Sequence, residues 1–247
     1  MLKLKVVAEK EKIDNSWSIE KLVSLYVPPT WEAVFESAKH ELKDVSDLLE
    51  EDRPNGRRVP DNCDLFRIFY LVPLYKVRVV LIGQDPFINL LPDGKPQAMG
   101  MSFSVPQGAA IPPSLKNIYK VLKETVPDFL IPNHGNLTAW ALQGIFLLNS
   151  CLTTRLNFSN SHKEIWIGFI KKVIVAILET NPNTIFLLWG NDAQKLKKII
   201  GTRATILETS HPSPLGFHRG FNKCNHFNEV NDILIKRKQT PINWNLF

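Results

Sequence analysis

A few short runs hold the residues that could do chemistry. Gly83-Gln84-Asp85-Pro86-Phe87 sets a carboxylate in a stiff turn, where it can orient water, accept a proton or face a developing cation. Ser210-His211-Pro212-Ser213-Pro214-Leu215 offers an imidazole whose backbone is fixed by neighbouring prolines. Leu147-Leu148-Asn149 ends in an amide that can both donate and accept. Trp189-Gly190-Asn191 is a turn after an apolar run, and Ile111-Pro112-Pro113-Ser114 puts a hydroxyl at the start of a helical pattern, a place suited to phosphate. Each has a plain structural alternative: a turn or cap for Asp85 and Asn149, a structural ring for His211, core packing for Phe103, an ordinary loop leucine for Leu215, and idle surface charge for His218 and Arg219.

The elements that must position these groups follow from periodicity. Residues 77–82 are short, β-branched and almost continuously apolar, as a buried parallel strand would be, and they run straight into Gly83. Residues 145–148, 184–189 and 204–209 share that character. Helical spacing marks 31–49, 113–124, 162–178, 192–199 and 224–236, while 50–64, with Pro54, Gly56 and Pro60, reads as a loop. The alternation predicts an α/β fold, a three-layer αβα sandwich around a mostly parallel four-stranded sheet, with its functional loops at the carboxyl ends of the strands. Residues 1–30 read as an N-terminal extension, loosely packed around a short helix, and 31–247 as a single domain.

Bulk properties narrow the classes. The 247 residues are 44% hydrophobic, enough for one sizeable core, and no linker or repeat divides them. A net charge of +6 suits a polyanionic partner. Cys63, Cys151 and Cys224 lack metal-site spacing and suggest a reducing compartment. No signal peptide or membrane-length apolar run is present, so an intracellular, soluble protein is expected. No Gly-x-Gly-x-x-Gly or Walker pattern follows any strand, which argues against a nucleotide-binding enzyme.

Taken in order, Gln-Asp-Pro, Pro-Pro-Ser, Leu-Leu-Asn, Leu-Leu-Trp-Gly and His-Pro-Ser-Pro-Leu, with Pro132-Asn-His-Gly, Arg219-Gly-Phe and Asn225-His-Phe, resemble the family 1 uracil-DNA glycosylases over about residues 60–244. The resemblance implies a monofunctional hydrolase, without metal or organic cofactor. It flips deoxyuridine out of DNA, cuts the N-glycosidic bond, and leaves an abasic site for base excision repair. It implies that Asp85 handles the attacking water and that a neutral His211 donates to uracil O2. Gln84, Phe87, Phe103 and Asn149 form the uracil pocket. Phe103 stacks on the base, Asn149 reads its O4 and N3–H edge, and Phe87 blocks the methyl of thymine. Pro113, Ser114, Gly190, Asn191, Ser213, Leu215 and Arg219 face DNA, with Leu215 as an exposed wedge. The implied partners are uracil-containing DNA, single- or double-stranded, and a protein inhibitor or replication partner, with no membrane; the protein is expected to be a monomer.

The chain departs from the family pattern in one region. Phe87 stands for the usual Tyr, Ile88 and Met99 for usual histidines, and the 89–96 loop is longer, with an Asp93-Gly94 turn. That loop is expected beside the pocket mouth, where it alters DNA grip or meets a partner. Asn191 replaces a common Ser. These departures motivate an alternative: a DNA-binding replication-accessory protein on the same fold, with weak or no catalysis.

Overall fold

The short apolar runs pair as parallel strands. The computed structural model describes residues 12–202 and 204–246. In it β1 (Arg58–Val59) and β4 (Thr154–Arg155) make a small antiparallel pair, while β2 (Val79–Gly83), β3 (Ile145–Asn149), β5 (Ile185–Trp189) and β6 (Thr205–Thr209) make a parallel sheet in the order β3-β2-β5-β6. Every residue of β2, β3 and β5 is buried, as their unbroken apolar sequences require; β6, at the edge, is partly exposed. The register pairs Gly83 with Asn149, Ile82 with Leu188, and Trp189 with Thr209. The strands therefore end on one line across the sheet. After β3 the chain returns to the far side of β2, so the crevice where such sheets bind ligands opens at these carboxyl ends.

Helices flank the sheet in two packed groups. Glu32–Ser37 and Lys39–Asp52 lie on Ile167–Thr180, and Pro113–Thr125 packs on Pro214–Phe217 and His226–Lys236. Aromatic rings fill much of the interior. Trp31 is fully buried, stacks on Phe146 at 5.0 Å, and donates from Nε1 to the Val72 carbonyl at 3.0 Å. Trp189 meets Phe221 edge-on at 4.9 Å, and its Nε1 donates to Nδ1 of His226 at 3.1 Å. Burial pulls the His226 pKa down to about 4, which keeps that ring neutral and able to accept.

Several elements differ from the sequence expectations for identifiable reasons. The 31–49 helix is two helices joined at Ala38, whose φ of −102° and ψ of 15° leave the helical region; Ser37 Oγ back-bonds to the Val34 carbonyl just before the break. The 50–64 loop contains β1 and helix Asn62–Leu65. Regular helix in the 162–178 segment starts only at Ile167, because the preceding turns spend their polar groups on tertiary bonds. The 192–199 segment is two short helices, Asn191–Gln194 and Lys197–Ile200. Of the expected loose extension, residues 1–11 lie outside the described residues, and 12–30 are docked. Ile19 and Leu22 on helix Ile19–Leu25 are buried, and Asn62 binds the Asp14 and Trp17 carbonyls through its side chain and Asn15 Oδ1 through its N–H.

Leu22→Ala should therefore cost about 2–4 kcal/mol of unfolding free energy, measured by urea denaturation. A loss below about 0.5 kcal/mol would mean that this helix contributes no packing.

Candidate active site

The line of strand ends carries the chemical groups into one place. Gly83 to Asn89, Phe103, Ser114, Asn149, Ser159 and His211 line a cavity of about 210 Å³. That is smaller than the roughly 300–1,000 Å³ of drug-sized ligand sites and suits one small molecule. Gln84, Asp85, Phe87, Phe103, Asn149 and His211 all line it, together with Ser114, which the sequence reading set among the DNA-facing residues.

Asp85 leaves β2 through a turn pinned to β3's continuation. Ser150 N donates to the Gly83 carbonyl at 2.9 Å, and Cys151 N and Ser150 Oγ donate to the Gln84 carbonyl at 3.0 and 2.9 Å. Asp85 Oδ2 accepts from Ser159 Oγ at 2.8 Å and from Asn160 N at 2.7 Å; Oδ1 accepts nothing among the described residues. Asn149 is buried, yet its amide makes no hydrogen bond among the described residues, so it is available to the pocket it lines. Gly83 makes this approach possible: a Cβ there would lie 2.4 Å from Asn149 Oδ1.

Phe103 holds a left-handed φ of 61°, uncommon for an aromatic residue. The strain is held in place by Ser102, whose N–H donates to the Leu147 carbonyl at 3.0 Å. The result presents the Phe103 ring 5.8 Å from that of His211.

His211 is set for one task. Its Nδ1 accepts the Ser213 N–H at 3.0 Å, so the neutral ring must carry its proton on Nε2. Burial depresses its pKa from the ordinary value, opposed by the weaker pull of the Asp192 and Asp85 charges. The ring is thus a neutral donor at pH 7. Asn117 Nδ2 holds the adjacent Pro212 carbonyl at 2.8 Å. Gly190, at φ 90°, gives the ring room, since a Cβ there would stand 2.9 Å from His211 Cβ.

A second depression, about 360 Å³, adjoins the first through Gln84 and His211 and is lined by Gly190, Asn191, Asp192, Ser213, Leu215 and Arg219. Leu215 is 83% exposed, the state expected of a wedge in the free protein. Ser213 Oγ caps helix Pro214–Phe217. Asp192, a carboxylate on this otherwise receptive surface, is offset by Lys163 and Lys195, each at 2.8 Å, which hold its pKa below the ordinary value. Pro113 is exposed at the first turn of helix Pro113–Thr125, with Ser114 beside it in the cavity wall. The 89–96 loop is a small hairpin bridged at Leu90 and Pro96 and tied at Gly94 by Arg57 Nη1, at 3.2 Å; its base, Ile88 and Asn89, lines the cavity. Ser159, Asn160, Asn117, Asp192 and Lys163 have site contacts that sequence reasoning missed. The polar run Ser159-Asn160-Ser161-His162 at the head of an expected helix was the available signal. Among the described residues no group of three or more His, Cys, Asp or Glu is arranged to hold a metal ion, and no helix is long and apolar enough to cross a membrane.

At pH 7, nitrogen-resolved NMR should find His211 as the neutral Nε2–H tautomer, with its protonation displaced below pH 6.5. A ring doubly protonated at neutral pH, or carrying its proton on Nδ1, would contradict this geometry.

Comparison with known proteins agrees with this architecture. The family profile described as the Uracil DNA glycosylase superfamily matches residues 69–235. The chain is 45% identical over 222 residues to the uracil-DNA glycosylase of Francisella tularensis subsp. novicida, covering 88% of this chain and 99% of that protein. It superimposes on the crystal structure of mimivirus uracil-DNA glycosylase with a TM-score of 0.87 and 32% identity, over 91% of this chain and 89% of that one. A mimivirus UNG variant in complex with UGI matches with a TM-score of 0.85 and 33% identity, over 91% of each chain. The UNG of Nitratifractor salsuginis, at 20% identity and a TM-score of 0.59, shares the fold over 87% of this chain and 95% of its own. With a profile match spanning most of the chain and relatives this similar over nearly their whole length, the chain belongs to the uracil-DNA glycosylase superfamily.

Proposed function

We propose that this chain releases uracil from DNA, hydrolysing the N-glycosidic bond of a flipped-out deoxyuridine and leaving an abasic site. One observation carries the reading: the Asp85 carboxylate, the Asn149 amide and the Nε2–H face of His211 line a single cavity from three different strand ends.

Each group then has a task. Breaking the bond develops positive charge on the sugar and negative charge on the departing uracil. Asp85, anchored through Oδ2, offers Oδ1 to the attacking water and its charge to the sugar cation. His211 donates from Nε2 to uracil O2 as negative charge gathers there. Asn149 donates to O4 and accepts from N3–H, a pattern that cytosine reverses; a mispaired buried amide costs about 1–3 kcal/mol. Phe103 stacks on the base, worth about 1–3 kcal/mol, and Phe87 stands where a thymine methyl would go. Gln84 completes the wall. Pro113, Ser114, Gly190, Asn191, Ser213 and Arg219 meet flanking phosphates, and Leu215 fills the gap left in the stack. The enzyme acts as a monomer on single- or double-stranded DNA. Because a mimivirus relative forms a complex with UGI, we infer that UGI also binds this chain.

A uracil-containing oligonucleotide incubated with the protein and treated with alkali should be cleaved. Asp85→Asn and His211→Ala should each slow release by about 10²–10⁴-fold. DNA binding without release would instead favour an accessory protein with an inert pocket, a reading to which Ile88 in the cavity wall lends its one observation. Leu215→Ala should lower activity on duplex more than on single strands; equal losses would remove the wedge role.

A further inference from the structure

The carboxylate of Asp85 draws no hydrogen bond from its own loop. Its neighbours Phe87 and Ile88, which line the same cavity, have apolar side chains. Both of its donors come from a turn more than seventy residues later, Ser159 Oγ at 2.8 Å and Asn160 N at 2.7 Å, and both address the same oxygen, Oδ2. Asn160 takes a left-handed φ of 60°, which sets the direction of its N–H. The turn is fixed independently of Asp85. Arg155 N donates to Ser161 Oγ at 2.7 Å, His162 donates from Nε2 to Asp52 at 2.9 Å, and Lys163 binds Asp192 at 2.8 Å.

We propose that Ser159 is a positioning residue for the reaction: its hydroxyl locks the rotamer of Asp85 so that Oδ1 alone faces the water. The proposal rests on the assignment of Asp85 above. A carboxylate held by one backbone N–H can pivot about that contact; a second donor on the same oxygen removes the pivot. Ser159 is exposed at the cavity wall, with its side chain bonded to Asp85 and to Asn160 Nδ2, so its hydroxyl carries little of the packing. The chain thereby supplies from outside the loop a donor that the apolar Ile88 does not.

The test measures uracil release from a single-stranded oligonucleotide by wild type, Ser159→Ala, Ser159→Thr and Ser159→Val, with Asp85→Asn in parallel. Thr keeps the hydroxyl, and Val copies its shape without it. The expected result is a kcat about tenfold lower for Ala and Val, KM within about twofold of wild type, and recovery to within about threefold for Thr. Added to Asp85→Asn, Ser159→Ala should change the residual rate by less than about twofold, because the contact acts through the carboxylate. Wild-type kcat in Ser159→Ala, equal rates for Thr and Val, a loss confined to KM, or a full additional loss on the Asp85→Asn background would each overturn the proposal. If Ser159→Ala is silent while Asp85→Asn is impaired, only the Ser159 contact fails. If Asp85→Asn is itself unimpaired, the assignment of Asp85 fails with it.

Discussion

The site depends on the register of the parallel sheet. Gly83 lies opposite Asn149 and Trp189 opposite Thr209, so the loops that follow begin at the same height. A slip of one residue would move a strand end by about 3.3 Å and turn its side chains to the other face. Catalytic hydrogen bonds tolerate only about 2.6–3.2 Å between heavy atoms. Asn149, the last residue of β3, cannot drift and still share a cavity with Asp85. Burial on both faces holds these strands in the sheet, and the bonds from Ser150 N to the Gly83 carbonyl and from Cys151 N to the Gln84 carbonyl tie the end of β3 to the end of β2.

Within that frame, some cavity atoms are left without partners among the described residues while several groups behind them are bonded. Asn149 leaves its amide unmade among the described residues, and Asp85 leaves Oδ1 open, while Gln84's carbonyl, Pro212's carbonyl and His211's Nδ1 are all engaged. The imidazole of His211 fits the same logic: burial favours its uncharged form, and a backbone N–H decides which nitrogen keeps the hydrogen.

Much of this was legible in the chain itself. The continuous apolar runs gave the strands because burial on both faces leaves no other composition, and the ordered motifs after them named Asp85, Asn149 and His211. Short-range competition was harder to see. Ser37's bond to the Val34 carbonyl splits a helix whose periodicity runs on unbroken, and the 159–163 turn overlaps only the start of the expected 162–178 helix and went unread because its bonds reach Asp52, Asp85 and Asp192, far away in sequence. Residues 12–30 looked peripheral because the first thirty residues are mixed in character and end in Pro28-Pro29; Ile19 and Leu22 are nonetheless both buried. Contacts set by tertiary proximity leave no periodic trace.

Leu215 stands in water in the free protein. Entering a gap in a base stack would move it into an apolar setting, so the DNA complex of the proposed enzyme combines forces of different kinds. Phosphate contacts weaken as salt rises, because each one releases condensed counterions. Transfer of a leucine side chain out of water does not share that dependence, and it lowers the heat capacity of the complex. Recognition by this surface would thus retain a salt-indifferent component, concentrated at the point where a nucleotide has left the stack.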